Sequence, residues 1–128
     1  MKIHYKLALT LLVGAALGAA ALQGLHAQTK SPAYVVIEVE ESDHRAYLQE
    51  YASLAVSAMV AGGGKFLARG GKTFAIDGEA PKPRVMVIAF ESMEKAKATF
   101  AGADYRSARK IGDEYAKFRI WAVEGLPQ

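Results

Sequence analysis

Cysteine is absent from the 128 residues. That removes a cysteine nucleophile, thiolate-ligated zinc, iron–sulfur clusters and lipid attachment through a cysteine. Histidine is scarce, with His4, His26 and His44 making up the whole supply. The first two stand in a leader-like opening, so the mature chain keeps His44 alone. One imidazole is too few for a histidine-rich metal site, and a haem enzyme would want it as axial ligand. Charge of one sign is not in excess either. Of 16 basic and 13 acidic residues, the opening holds Lys2 and Lys6 and no acid, which leaves 14 against 13, a net of +1. No basic footprint for nucleic acid remains. Paired-carboxylate, Ser-His-Asp and metal-ligand spacings are missing as well, and no cofactor or metal is expected. A chain of 128 residues has room for one domain, not for a multidomain enzyme or a repeat array.

What is present begins with an address. Residues 1–27 carry a basic start (Lys2, His4, Lys6), an apolar run over 7–22 broken by Thr10, and Ala27 as a cleavage position. Leu25 is larger than the small residue preferred at its position, and Ala19-Ala20-Ala21 offers an earlier site. The run is about 16 residues, short of the roughly 20 of a membrane-crossing helix. The expectation is a secretory signal peptide over 1–27 and a domain over 28–128, secreted to a bacterial periplasm with no membrane attachment after cleavage. A retained N-terminal anchor is the competing reading.

The mature part alternates between two periods. Residues 34–40 place Val35, Ile37 and Val39 on one face and Tyr34, Val36, Glu38 and Glu40 on the other, a strand pattern. Ser42 or Asp43 caps a helix running to Ala61, with Leu48, Tyr51, Leu54, Ala55, Ala58 and Met59 on one stripe. Gly62-Gly63-Gly64 stops it. A strand over 65–69 ends at Gly70-Gly71, and 73–76 is expected to continue it beyond a bulge. Asp77-Gly78 signals a turn, and Pro81 and Pro83 keep the next stretch out of a ladder. Residues 84–90 form the most apolar strand. Ser92 caps a helix through Met93, Ala96 and Phe100; a second piece runs from Asp104 to about Ala116, weakened at Gly112. Residues 118–124 close as a strand.

The order β-α-β-β-α-β is the ferredoxin-like split βαβ arrangement, an α+β fold with a four-stranded antiparallel sheet and both helices on one face. Residues 85–90 are apolar without interruption, and Trp121 and Val123 oppose Phe118, Ile120 and Ala122. A strand apolar on both faces is normally covered on both, and one chain supplies one helical layer. A homodimer is expected to cover the other face.

Further marks lie along 34–125: Tyr34-Val35-Val36, Asp43, Tyr47 with Tyr51, the run from Gly63 through Lys65, Phe66, Leu67, Ala68 and Arg69 to Gly70-Gly71, Asp77-Gly78, Pro83-Arg84, Tyr105 and Glu124-Gly125. In this order and spacing the chain resembles the bacterial domain of unknown function family 1330, in the dimeric α/β-barrel superfamily. The resemblance implies the ferredoxin-like fold and pairing of two copies. Related families include small-molecule monooxygenases, isomerases and haem enzymes, so it implies no single reaction. Two positions depart from the family pattern. Asp77 stands where a glutamate is usual, and Gly112 where an arginine is usual, with Arg109 one turn earlier as a stand-in.

Two function readings follow. In the first, a cleft between helices and sheet binds a small anionic or oxygenated ligand, with or without cofactor-independent catalysis. His44 is the candidate base, about 40° from Leu48 and about 20° from Tyr51 on the wheel. Arg69 offers a donor fork for a carboxylate or phosphate, and Gly70 and Gly71 let backbone amides approach an anion. Tyr47, Arg84 and Tyr105 complete the ligand-binding set. The bland counterpart has His44 in solvent, Arg69 paired with Glu38 or Glu40, and the tyrosines in the core. In the second reading the protein is a non-catalytic exported homodimeric interaction or stress-associated module.

Overall fold

A period of two in β1 and an unbroken apolar run in β3 set the sheet. In the computed structural model, which describes residues 30–128, β1 spans Ala33–Glu41, with Ala33, Val35, Ile37 and Val39 buried on one face. It pairs antiparallel on both sides, with β3 (Arg84–Phe90) and with β4 (Ala116–Glu124). β2 (Lys65–Arg69) adds to the far side of β3, and the order is β2-β3-β1-β4. The ladder between β2 and β3 slips between Phe66 and Ala68, which leaves Leu67 exposed. The signal-peptide segment lies outside the described residues.

Helix α1 covers residues 44–61 in three parts: His44–Ala46, a π-helical stretch Tyr47–Ala52, and Ser53–Ala61. Asp43 caps it, its carboxylate accepting from the Ala46 N–H at 3.0 Å. The chain leaves through Gly63 at φ +93°, a conformation that favours glycine. Helix α2 (Met93–Ala101) is capped by the Ser92 hydroxyl on the Lys95 N–H. Helix α3 (Ala103–Gly112) follows directly. All three helices pack on the Val35–Val39 face. Tyr47, Tyr51, Ala55, Met59, Ala96, Tyr105 and Ala108 close a single core with Met86, Ile88, Phe90 and Phe118. This is the ferredoxin-like α+β fold, built by residues 31–126.

Three local expectations give way. The stripe on α1 is Tyr47, Tyr51, Ala55 and Met59, while Leu48 and Leu54 are exposed. The π-helical stretch bonds i to i+5 and widens the turn, so residues four apart stay aligned where a 100° wheel rotates them away. Residues 73–76 form no strand; the whole of 70–83 is exposed loop. Helix α3 ends at Gly112, and Ala116 already belongs to β4.

The opposite face of the sheet has no helix. It carries Tyr34, Val36, Val85, Val87 and Ala89, with Trp121 at 41% and Val123 at 54% exposure. At one end of this face sits Glu38, buried, accepting from Arg119 Nη1 at 3.1 Å and from the Lys82 N–H at 3.1 Å. Burying a carboxylate is costly unless it is paired, and here both oxygens are satisfied.

Candidate functional site

Proline 83 ends the exposed loop and hands the chain to β3, so Arg84 starts the central strand on its helix-covered face, opposite Val39. Its guanidinium cannot escape to water easily. It lies 5.6 Å from the centroid of the Tyr47 ring and its Nε is 4.0 Å from Glu41 Oε1. Both of those atoms, Arg84 Nε and Glu41 Oε1, are buried without a hydrogen-bond partner. The other Glu41 oxygen pairs with His44 Nδ1. A strand end and a helix start thus bring a carboxylate, a guanidinium and an imidazole into one cluster.

Arg84 lines two openings. The larger is a cleft of about 490 Å³ between α1 and the β2–β3 edge. Its polar members are Tyr47, Tyr51, Ser53, Ser57, Arg69 and Arg84, and its apolar wall includes Leu48, Val56, Met59 and Met86. The smaller, about 250 Å³, holds Val39, Glu41, His44, Gly70, Pro83 and Arg84. An apolar wall with two guanidinium groups suits a small ligand with an apolar body and an anionic or oxygenated end.

Of the residues singled out from sequence, Tyr47, Arg69 and Arg84 come together in the cleft, while His44, Gly70 and Arg84 meet in the neighbouring opening. Tyr105 lies behind the cleft on α3, buried, its hydroxyl 3.4 Å from that of Tyr51 and its ring 4.7 Å from Phe100. Gly71 is exposed and borders neither opening. The glycine pair forms no anion cradle, because the Gly70 N–H donates to the Val85 carbonyl at 2.9 Å. Gly70 instead makes room. It adopts φ +70°, and a Cβ there would come within 3.1 Å of Arg84 Cζ. The expected pairing of Arg69 with Glu38 or Glu40 is not made. Those acids take Arg119 and Lys82, and Arg69 lies over the Phe66 ring at 5.2 Å. His44 is not in the apolar stripe: its side chain is 64% exposed and held by Glu41.

Glu41 is the residue that the sequence pattern did not bring forward. Its signal was the three-residue spacing to His44, obscured because one residue ends a strand and the other opens a helix. Arg109 does not stand in for an arginine at position 112. It pairs with Asp113 at 2.7 Å, stacks on Phe118 at 4.2 Å, and borders neither opening.

The tyrosines behind the cleft hold their protons. Burial raises Tyr47 above its ordinary 10.0, the nearby Arg84 charge partly offsetting this; burial together with Tyr105 raises Tyr51 further. A raised folded-state pKa means stability that is complete below pH 10 and lost as pH climbs towards the folded value. Melting temperature is therefore expected to fall between pH 10 and pH 12, and Tyr51→Phe, which keeps the ring and removes the proton, to flatten that fall. An identical alkaline slope in the variant refutes the assignment to Tyr51.

No group of three or more His, Asp or Glu among the described residues is placed to hold a metal ion. No helix among them is long and apolar enough to cross a membrane.

Solved structures share the fold at low identity. A protein of unknown function from Rhodopseudomonas palustris superposes with a TM-score of 0.60 at 17% identity, over 77% of this chain and 85% of that one. Its methylated form gives 0.59 at 18% identity, over 76% and 82%. A dimeric protein of unknown function with a ferredoxin-like fold, from Bacteroides fragilis, gives 0.48 at 12%, over 74% and 95%. No curated protein is a significant match. The sequence pattern described as Domain of unknown function (DUF1330) matches residues 32–126, and the chain belongs to that family.

Proposed function

We propose that the protein is an exported, homodimeric small-molecule-binding protein whose cleft between α1 and the β2–β3 edge takes a small anionic or oxygenated ligand. The observation that carries the reading is the Arg84–Glu41 pair. Two buried polar atoms 4.0 Å apart, a donor Nε and an acceptor Oε1, form an ion pair but have no hydrogen-bond partner among the described residues. Leaving such groups without a hydrogen bond costs about 1–3 kcal/mol each, and a ligand group or a water in the opening would meet them. A hydroxyl oxygen between them accepts from Arg84 and donates to Glu41. A carboxylate at the cleft takes the remaining donors of Arg84 and those of Arg69. His44, oriented by Glu41, is the group placed to move a proton if the ligand is also a substrate.

The homodimer is supported by the helix-free face, where Trp121, Val123 and five smaller apolar or aromatic positions are uncovered in one chain. Export is supported by the basic, apolar and small-residue segments of residues 1–27.

Native mass spectrometry of the protein exported by its own leader tests all three parts. The expected spectrum has twice the mature mass plus a reproducible small-molecule adduct. A clean dimer without adduct, and without thermal response to small carboxylates and hydroxy acids, removes the ligand reading and leaves a homodimeric interaction module. Retained leader mass removes the export reading.

A further inference from the structure

Between β2 and β3 the chain makes an excursion, residues 70–83, every one of them exposed. Among the described residues its hydrogen bonds and ion pairs lie at its ends. The Gly70 N–H donates to the Val85 carbonyl at 2.9 Å. At the other end the Lys82 N–H donates to Glu38 at 3.1 Å, and the Lys82 ammonium lies 3.5 Å from Glu40. Between these ties stand Phe74, 87% exposed, and Ile76, 90% exposed. An aromatic and a branched aliphatic side chain two residues apart, both almost fully in water, are a contact surface without its counterpart.

We infer that this segment is an arm that packs on a second copy of the chain, burying Phe74 and Ile76 of each protomer against its partner. The inference rests on the homodimer reading above and adds to it the element that completes the interface.

The root of the arm points to the occupant. Glu38 and Glu40 belong to the helix-free face, on the same side of β1 as Tyr34 and Val36, and Lys82 is bound to both acids. Whatever covers the apolar sheet therefore lies beside the arm. The area argues the same way. At the spacings of a four-stranded sheet the open face measures roughly 20 Å by 25 Å, about 500 Å² in plan. One end of it is charged, with Glu38, Glu40, Lys117 and Arg119. A stable interface buries about 800 Å² per partner. The uncharged part of the sheet is a modest interface, and a buried aromatic side chain adds about 150–250 Å² to it. In a two-fold contact each arm also covers an equal patch of its partner, so the gain is counted twice.

The absence of cysteine makes the test clean, since Phe74→Cys introduces the single thiol of the chain. Sedimentation velocity would compare the wild-type protein, the open-face variant Val87→Asp and the arm variant Phe74→Ser/Ile76→Ser, with circular dichroism confirming that each is folded. The wild type is expected to be a dimer and Val87→Asp a monomer, with the arm variant dissociating at least tenfold more readily than wild type. The Phe74→Cys thiol is expected to react several-fold more slowly with a soluble disulfide reagent at dimer concentrations than after dilution to monomer. A dimer unchanged by the arm variant, with a thiol equally reactive at both concentrations, overturns the arm and leaves the sheet-mediated dimer standing. A wild-type monomer overturns the dimer reading itself and the arm with it. Protection of the thiol only by an added periplasmic protein overturns the second copy as occupant.

Discussion

Placing the arginine of the family pattern at position 112 is expected to unfold this protein rather than to restore a function. Gly112 ends α3 against the face of Tyr51. A Cβ there would lie 2.6 Å from Tyr51 Cδ2 and 3.1 Å from Phe118 Cζ. The Tyr51 ring is held by aromatic neighbours. It is buried, with Tyr47 at 5.2 Å and Phe118 at 5.1 Å between ring centroids, and its hydroxyl meets Tyr105. Overpacking a close-packed core costs about 1–3 kcal/mol for added methylenes, and Gly112→Ala belongs in that range, partly offset by the better helix propensity of alanine. Gly112→Arg adds a guanidinium forced towards a buried aromatic wall, so a loss above about 4 kcal/mol is expected. For a domain of this size that corresponds to a fall in Tm of roughly 15 °C or more, or to no soluble protein. The double variant Tyr51→Ala/Gly112→Arg isolates the cause. If the clash is with the ring, the two changes together cost clearly less than the sum of their separate effects. Strict additivity, or a Gly112→Ala protein melting with the wild type, disproves the account. Tyr51 and Gly112 are thus one packing unit, and Arg109 on the preceding turn pairs with Asp113 and stacks on Phe118.

The sheet was legible because its signal is local. Val35, Ile37 and Val39 alternate with Tyr34, Val36, Glu38 and Glu40, and a period of two admits one register of faces. Arg84 was legible for the same reason: a charged residue between Pro83 and an unbroken apolar run has to sit at the strand's end. The stripe of α1 was misread at Leu48 and Leu54, because a π-helical turn changes the period and leaves no mark in composition. His44 stands before that stretch, and its exposed side chain agrees with the solvent-facing reading rather than with a place in the stripe. Thr73, Phe74, Ala75 and Ile76 alternate as a strand does, yet no neighbour in the chain offers them a ladder. Glu41 was illegible for a different reason. Its meaning depends on Arg84, far along the sequence, and only the pairing of Val39 with Arg84 brings the two together.

Removing the charge of Arg84 is expected to abolish the proposed ligand binding in the cleft while leaving the fold. Arg84→Met keeps the apolar stem that packs beside Tyr47 and deletes the guanidinium. Charge-assisted hydrogen bonds are worth about 1.5–3 kcal/mol, so ligand affinity is expected to fall about 10- to 100-fold. The adduct expected in native mass spectrometry, or the thermal shift with a small carboxylate as probe, reads this directly. Arg84→Lys separates charge from shape. An ammonium keeps the attraction to Glu41 but lacks the planar fork, so stability is expected near wild type with most of the affinity still lost. Tyr47 supplies an internal reporter. The Arg84 charge lowers its pKa against the effect of burial, so in Arg84→Met the phenol should ionise at higher pH than in the wild type. Near-wild-type stability with the adduct lost places the ligand at Arg84. An adduct retained in both variants places it elsewhere and reduces the Arg84–Glu41–His44 cluster to a structural ion network.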